Sequence, residues 1–508
     1  MKKKYVTMAI AALLACGFTS CNDWLDIEQN TEKKADHMFE NYDGFKGALA
    51  GCYSDLTNSN LYGTRLTITD IEALANLWVL DVSNNNLKGE MRTSAYFREH
   101  DYTHSTTETA IRDIYLAFYN TILEANMVIK GVLENGNNIP DSKSRAVIEG
   151  EAYAIRAFCH FDILRLFGQL PVGAITQVQL PYSEVTSIED KLVYYSFDEY
   201  VKKLKSDFEK AESLLKDNDP ACDYTFDELN NVGAEGYEDI SISDDFMYMR
   251  QYRMNYWAVR ALQARLYMYL GDLQTAHSIA LEVINAETTA GEKVAELTSL
   301  KDYGFPVSEE SETNPRLYNS PSECLFGLYI KDLGVLSTSL LGDKTIHAFP
   351  DQNFLLSENM WQDLYRGLDG ASDIRMLYLW TLIQTSQQEK YYMTQKYTME
   401  DGGIIPIIRM SEVYLIAVES ATTLEEANRL YAEYLRSKSS IAQTYTSMDE
   451  LKAELTKEYR REFFGEGVMF YYYKRNNMKT LWSSEDYEMR EADYILPLPN
   501  TEHNPNNK

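Results

Sequence analysis

The sequence predicts a mainly α-helical fold in which four helical hairpins form a scaffold around a large irregular insertion. Two observations carry this. Apolar residues recur at three- and four-residue steps through most of the chain, whereas the stretch Thr288 to Met399 has no strong period and is rich in Ser, Gly, Asn, Pro and aromatics. Composition agrees with a folded body: 508 residues, 45% hydrophobic and 25% charged, are too apolar for general disorder.

The elements follow in chain order. Tyr42–Leu56 and Ile111–Leu133 read as the first helical pair. Glu151 to Phe167 pairs with Phe197–Leu215. In the former, Ala152, Ile155, Cys159, Ile163 and Leu166 make one apolar stripe and Ala154, Phe158 and Phe161 another, so this helix is sandwiched between neighbours. Gly168 and Pro171 end it. Tyr252 to Leu270 repeats the design, and Gly271-Asp272 turns the chain, with Asp272 placed to cap a second helix, Leu273 to Ile284. Ala276 and Ala280 let the two helices approach closely, and the pair resembles a tetratricopeptide repeat. Ile407–Ser420 and Leu424–Leu435 form the fourth pair, and Met448–Phe464 a further helix.

The amino terminus predicts export. Lys2, Lys3 and Lys4 precede 14 uncharged, mostly apolar residues, Tyr5 to Phe18, too short for a membrane span. Small residues then stand before Cys21. Cleavage there would leave an N-terminal Cys carrying acyl chains (palmitate among them) and followed by acidic, polar chain. Leu13-Leu14-Ala15-Cys16 is a competing match by local pattern. Cys52, Cys159, Cys222 and Cys324 are scattered without a CxxC and read as buried free thiols.

Charge and motifs exclude several function classes. Asp+Glu 77 against Lys+Arg 48 gives −29, and removing residues 1–20 takes away Lys2, Lys3 and Lys4 to leave −32. Such a surface repels phosphate backbones, so no nucleic acid is expected. A mean hydropathy of −0.38 excludes a multi-span membrane protein. No zinc-protease, nucleophile-elbow, dinucleotide or Walker A pattern occurs. Asp81, Ser83 and Asn85 have the first spacings of a calcium loop, but Asn86 and Arg92 stand where Gly and Glu are needed. No catalytic residue, metal ligand or cofactor is expected.

Glu151-Ala-Tyr-Ala-Ile-Arg156 through Phe161, Arg165, Gly168 and Pro171 is very similar to the hallmark helix of the SusD/RagB family of Bacteroidetes outer-membrane lipoproteins. The resemblance continues in Cys21-Asn-Asp-Trp24-Leu25-Asp26, which favours Cys21 over Cys16 as the lipidated residue, and in Gly47 to Tyr53. It extends through Arg253 to Asp272, Ile405 to Glu419, Arg460 to Gly467, and Tyr494 to Pro499. Val468, and Tyr471-Tyr472-Tyr473 before Lys474-Arg475, depart from the family pattern near the C-terminus.

The resemblance implies a surface lipoprotein of a polysaccharide-utilisation system. Held at the outer membrane by its lipid anchor, it would capture oligosaccharides and deliver them to a SusC-like TonB-dependent transporter without altering them. Peptide capture in the manner of RagB is the alternative within the fold, and a surface glycoside hydrolase the alternative from another class. The expected organisation is a signal peptide 1–20, a lipidated tether 21–40, and a scaffold 41–287 with a binding loop 61–108. The insertion 288–399 and the fourth hairpin with the C-terminal segment 400–508 complete it.

The loop and the insertion are where the resemblance places the ligand. Sugars present flat C–H faces and rings of hydroxyls, which aromatic faces and Asn, Asp or Arg can meet. With 38 Tyr the chain is well supplied. The loop holds Trp78, Asn84, Asn85, Asn86, Arg92, Tyr96 and Phe97. The insertion holds Tyr303, Phe305, Tyr318, Tyr329, Phe349, Trp361, Tyr365 and Trp380. Trp78, Tyr96 and Trp361 are the expected stacking residues, with Asn85 and Arg92 as polar partners and Tyr303 beside them. Arg156, Arg165, Arg409, Glu412 and Glu466 read instead as ion pairs between helices.

Overall fold

The computed structural model describes residues 37–87, 89–187, 190–298, 321–342, 349–366, 372–397, 403–482 and 487–500. The signal and lipidation segment, with Cys16 and Cys21, and Tyr303 lie outside them.

The helices are α1 (Tyr42–Leu56), α2 (Asp70–Leu74), α3 (Glu90–Arg98), α4 (Ser105–Asn135), α5 (Ser142–Phe167), α6 (Phe197–Leu215), α7 (Phe226–Asn230) and α8 (Tyr256–Leu270). They continue with α9 (Leu273–Ile284), α10 (Leu333–Leu341), α11 (Glu358–Leu364), α12 (Ile374–Tyr378), α13 (Met410–Ser420), α14 (Leu424–Ser437), α15 (Met448–Glu462) and α16 (Met469–Arg475). The expected pairs pack together as α1 on α4, α5 on α6, α8 on α9 and α13 on α14. Contacts of α4 with α5, α6 with α8 and α9 with α13 join them into one continuous row.

Local chemistry sets the ends. Asn41, Asp141, Asn255, Asp272 and Thr423 each cap a helix by accepting a backbone N–H. Gly271 takes φ +80° to stop α8. Near the end of α5 the buried Lys474 ammonium donates to the carbonyls of Arg165 and Gly168, both at 2.7 Å.

The sandwiched helix is real: from Val147 to Phe167 nearly every residue of α5 is buried. Its charged side chains are matched to neighbours. Arg156 reaches Asp207 on α6 at 2.7 Å and Asn126 on α4 at 2.8 Å. Glu151 accepts from Arg250, Arg253 and the Tyr53 hydroxyl. Arg265 on α8 likewise meets Glu412 on α13 at 2.6 Å. Arg165 differs from expectation. It pairs with Asp162 one turn earlier in its own helix and lies over the Tyr471 ring at 3.8 Å.

The fourth pair starts later than its apolar pattern suggests. Beyond the short antiparallel pair β1 (Leu180–Pro181) and β2 (Tyr194–Tyr195), Gly403–Arg409 is a buried strand, β7, antiparallel to β3 (Cys324–Ile330), and α13 begins only at Met410. A run of four isoleucines around Pro406 suits a pleated, fully buried strand better than a helix. The insertion is also less irregular than expected. It carries β3, α10, α11, α12 and a three-stranded sheet in the order β4 (Leu356–Ser357), β6 (Lys390–Thr394), β5 (Trp380–Gln384).

Among the described residues the free thiols are Cys52, Cys159 and Cys324, all buried, and the half-buried Cys222.

Two features lock the C-terminal segment onto the scaffold. Buried Arg375, Lys396, Arg409, Lys438 and Arg461 interleave with Glu323, Asp373, Glu458, Glu462 and Glu466, five cations against five carboxylates. Glu72 on α2 accepts the N–H groups of Gly465 at 2.9 Å and Gly467 at 2.8 Å. Gly467 sits at φ +72°, where a Cβ would meet the Leu66 carbonyl oxygen at 2.1 Å, so the position requires glycine.

Burial pushes the Glu72 carboxyl up to about 8 from 4.5, against the two N–H bonds and Lys396, which lower it. A carboxyl raised on folding stabilises fully below its unfolded value near 4.5, and that contribution is lost as pH rises through 8. Between pH 5 and pH 8.5 the wild-type melting temperature is expected to fall more than that of Glu72→Gln, as thermal unfolding monitored by circular dichroism would show. Equal falls would mean that Glu72 does not titrate there.

Candidate functional site

The binding loop and the insertion meet at an open cleft of about 740 Å³, within the size range of small-molecule sites. Asn84 and Asn86 form one wall, Phe349, Pro350 and Asp351 a second, and the β5–β6 hairpin with Gln384, Glu389 and Tyr391 the third.

Each wall is held in place. In the loop, Asp81 accepts from the N–H and hydroxyl of Ser83, and Asn84 accepts from the N–H of Asn86. These are Asx turns, which Asp and Asn form because their short side chains bond backbone two residues on. The loop is joined to the insertion where Val79 N–H donates to the Leu355 carbonyl at 3.1 Å. In the second wall the buried Asn353 accepts from the N–H of Phe349 and donates to the Ser339 carbonyl. Phe349 itself stays 48% exposed. In the hairpin, Thr385 N–H donates to the Glu389 carbonyl, and Gln388 takes φ +68° to close the turn.

Strand alternation decides which tyrosine faces the cleft. Tyr391 lines it, while Tyr392 on the opposite face stacks on Trp361 at 4.2 Å with the rings nearly parallel. Tyr391 is half-buried, and burial together with the Glu389 carboxylate raises its hydroxyl pKa.

The expected site residues separate on these facts. Asn85 is exposed between Asn84 and Asn86, which line the cleft, but is not itself among the lining residues. Arg92 stands behind the loop and is spent on it, donating to the carbonyls of Val82 at 3.1 Å and Asn84 at 2.8 Å. Tyr96 stacks on His104 at 3.6 Å, outside the cleft lining. Trp361 is half-buried against Tyr392 and braces the hairpin from behind.

Trp78 is a correction. It has no exposed surface, donates to the Ile68 carbonyl at 2.6 Å, and packs on Phe354 and Phe464. The apolar run Leu74–Leu80 carries it into the core, so it has no face to offer a ligand.

Asp351, the polar turn Gln384–Glu389 and Tyr391 were not singled out from the sequence. The alternation of β5 and β6 around a polar turn was the available signal. A second groove, of about 480 Å³, runs between the start of α4 and residues 495–500, lined by Tyr102, Arg112 and Pro497. It includes neither the Asn-rich loop nor the hairpin.

Comparison with known proteins gives a consistent family. A SusD-like family model described as starch-binding associating with outer membrane matches residues 23–226, and a second, described as SusD family, matches residues 340–507. SusD-like protein P38 of Formosa agariphila is 27% identical over 266 residues, 52% of this chain and 46% of that protein. The match thus spans about half the length of the curated relative. A SusD superfamily protein of Bacteroides thetaiotaomicron superposes with a TM-score of 0.64 at 20% identity, covering 91% of this chain and 98% of that one. A SusD-like carbohydrate binding protein of Bacteroides vulgatus gives 0.62 at 18% identity, covering 85% and 83%. At these identities the superpositions speak to the fold.

Proposed function

The chain belongs to the SusD/RagB family, and from that premise we propose that it is a cell-surface lipoprotein that captures oligosaccharides in the 740 Å³ cleft. Anchored to the outer membrane through acylated Cys21, it would hand them unaltered to a SusC-like TonB-dependent transporter for import. The description of the matching family model as starch-binding, and the carbohydrate-binding name of the Bacteroides vulgatus relative, support a glycan as ligand.

The observation that carries the reading is the lining of the cleft. Phe349 and Tyr391 offer ring faces for sugar C–H surfaces. Asn84, Asn86, Gln384 and Thr385 offer amides and hydroxyls that donate and accept, as a ring of sugar hydroxyls requires. An open cleft of this kind binds in the micromolar to millimolar range, about −8 to −4 kcal/mol. That affinity suits capture followed by release.

Calorimetric titration against neutral oligosaccharides and peptide digests tests this directly. Removing the two ring faces together, Phe349→Ala with Tyr391→Ala, is expected to weaken the best glycan at least about ten-fold, each aromatic contributing on the order of 1 kcal/mol. The melting temperature should change little, since Phe349 is exposed and Tyr391 half-buried. Binding by peptides alone, or cleavage of the bound oligosaccharide, would overturn the reading.

A further inference from the structure

We infer that the cleft selects uncharged glycans and turns away sulfated or uronic acid-bearing ones; this rests on the oligosaccharide reading above. Among the described residues that line it, the charged ones are Asp351 and Glu389, one from each of two facing walls. Neither forms an ion pair with a described residue. The remaining polar lining consists of amides and hydroxyls.

Among the described residues, the cations flanking the loop and the hairpin are committed elsewhere. The Arg92 guanidinium donates to the carbonyls of Val82 and Asn84, bracing the loop from behind. The Lys390 ammonium sits 2.9 Å from Glu358. No described guanidinium or ammonium lines the cleft to meet an anionic sugar.

Hydrogen-bond chemistry points the same way as charge. An ionised carboxylate only accepts, and so do sulfate esters and uronate carboxylates. Asp351 and Glu389 therefore complement the hydroxyl donors of a neutral sugar, whereas an anionic substituent would face them with no proton between. The whole chain adds to this at longer range, since its net charge of −29 repels polyanions during approach.

The test compares neutral oligosaccharides with uronate and sulfated oligosaccharides of the same length by calorimetric titration at low and physiological salt. The anionic ligands are expected to bind at least about ten-fold more weakly, with a gap that narrows as salt screens the repulsion. Asp351→Asn with Glu389→Gln should move the two classes in opposite directions, weakening neutral ligands and strengthening anionic ones. Anionic ligands that bind as tightly as neutral ones, or more tightly at low salt, would overturn the selection while leaving glycan capture intact. A correctly folded protein that binds no saccharide of either class would instead overturn the capture reading, and the selection with it.

Discussion

Glu462→Ala is expected to destabilise the protein by about 3–5 kcal/mol, because it leaves five buried cations facing four carboxylates, one positive charge uncompensated. Glu462 ends α15 and meets Arg409 at 2.5 Å, Arg375 at 2.7 Å and Lys438 at 3.2 Å, each of them nearly or fully buried. Burial alone would raise its carboxyl. Lys438, Arg409 and Arg375 outweigh that and hold it well below the usual carboxylate range. The side chain is therefore ionised at neutral pH, and its removal takes one carboxylate from three cations at once. Urea denaturation followed by intrinsic fluorescence measures the loss. Glu433→Ala, which breaks an exposed pair with Arg429 and a bond from the Tyr414 hydroxyl, serves as the comparison and should cost much less. Similar losses in the two variants would mean that the buried cluster is no more demanding than a surface pair.

The second large effect is Trp78→Ala, expected to cost about 3–5 kcal/mol through the cavity it leaves. The indole is enclosed by Phe354 from the insertion and Phe464 from the C-terminal segment, so it joins three parts of the chain distant in sequence. A ligand-stacking residue would show the opposite pattern, reduced affinity with the fold intact. Glycan affinity of the folded fraction at low temperature should stay near that of the wild type. Trp78→Phe keeps most of the volume and loses the Nε1 bond to the Ile68 carbonyl, with an expected cost of about 1–2 kcal/mol. A Trp78→Phe variant of unchanged stability but lost affinity would return Trp78 to the ligand site.

The helical scaffold was legible because its signal is local. The two stripes of α5 and the Gly271-Asp272 turn are patterns within a few residues of one another, and each has one favourable backbone answer. The Ile-rich run at Gly403–Arg409 was not, since a short apolar run fits a buried strand or the first turns of a helix. Only pairing with Cys324–Ile330 decides between them. The motif arginines were assigned to structural ion pairs from sequence, and Arg156, Arg409 and the Glu412 partner Arg265 form such pairs. Arg165 instead pairs with Asp162 in its own helix, a carboxylate that also accepts from the Tyr62 hydroxyl at 2.5 Å, a tertiary contact no local pattern shows.

The amino-acid sequence by itself determined the helical class, the pairing order and the family, and it named the loop and the insertion whose walls form the cleft. Tertiary structure alone decided which side chains stand there. Asn84 stands more than 250 residues before Asp351 and Glu389 along the chain, and no local rule brings the three together. The same holds for Trp78, Tyr96 and Trp361, whose rings could serve a core, a brace or a ligand equally well. Aromatic side chains carry no mark of their destination, because burial is a property of what packs against them.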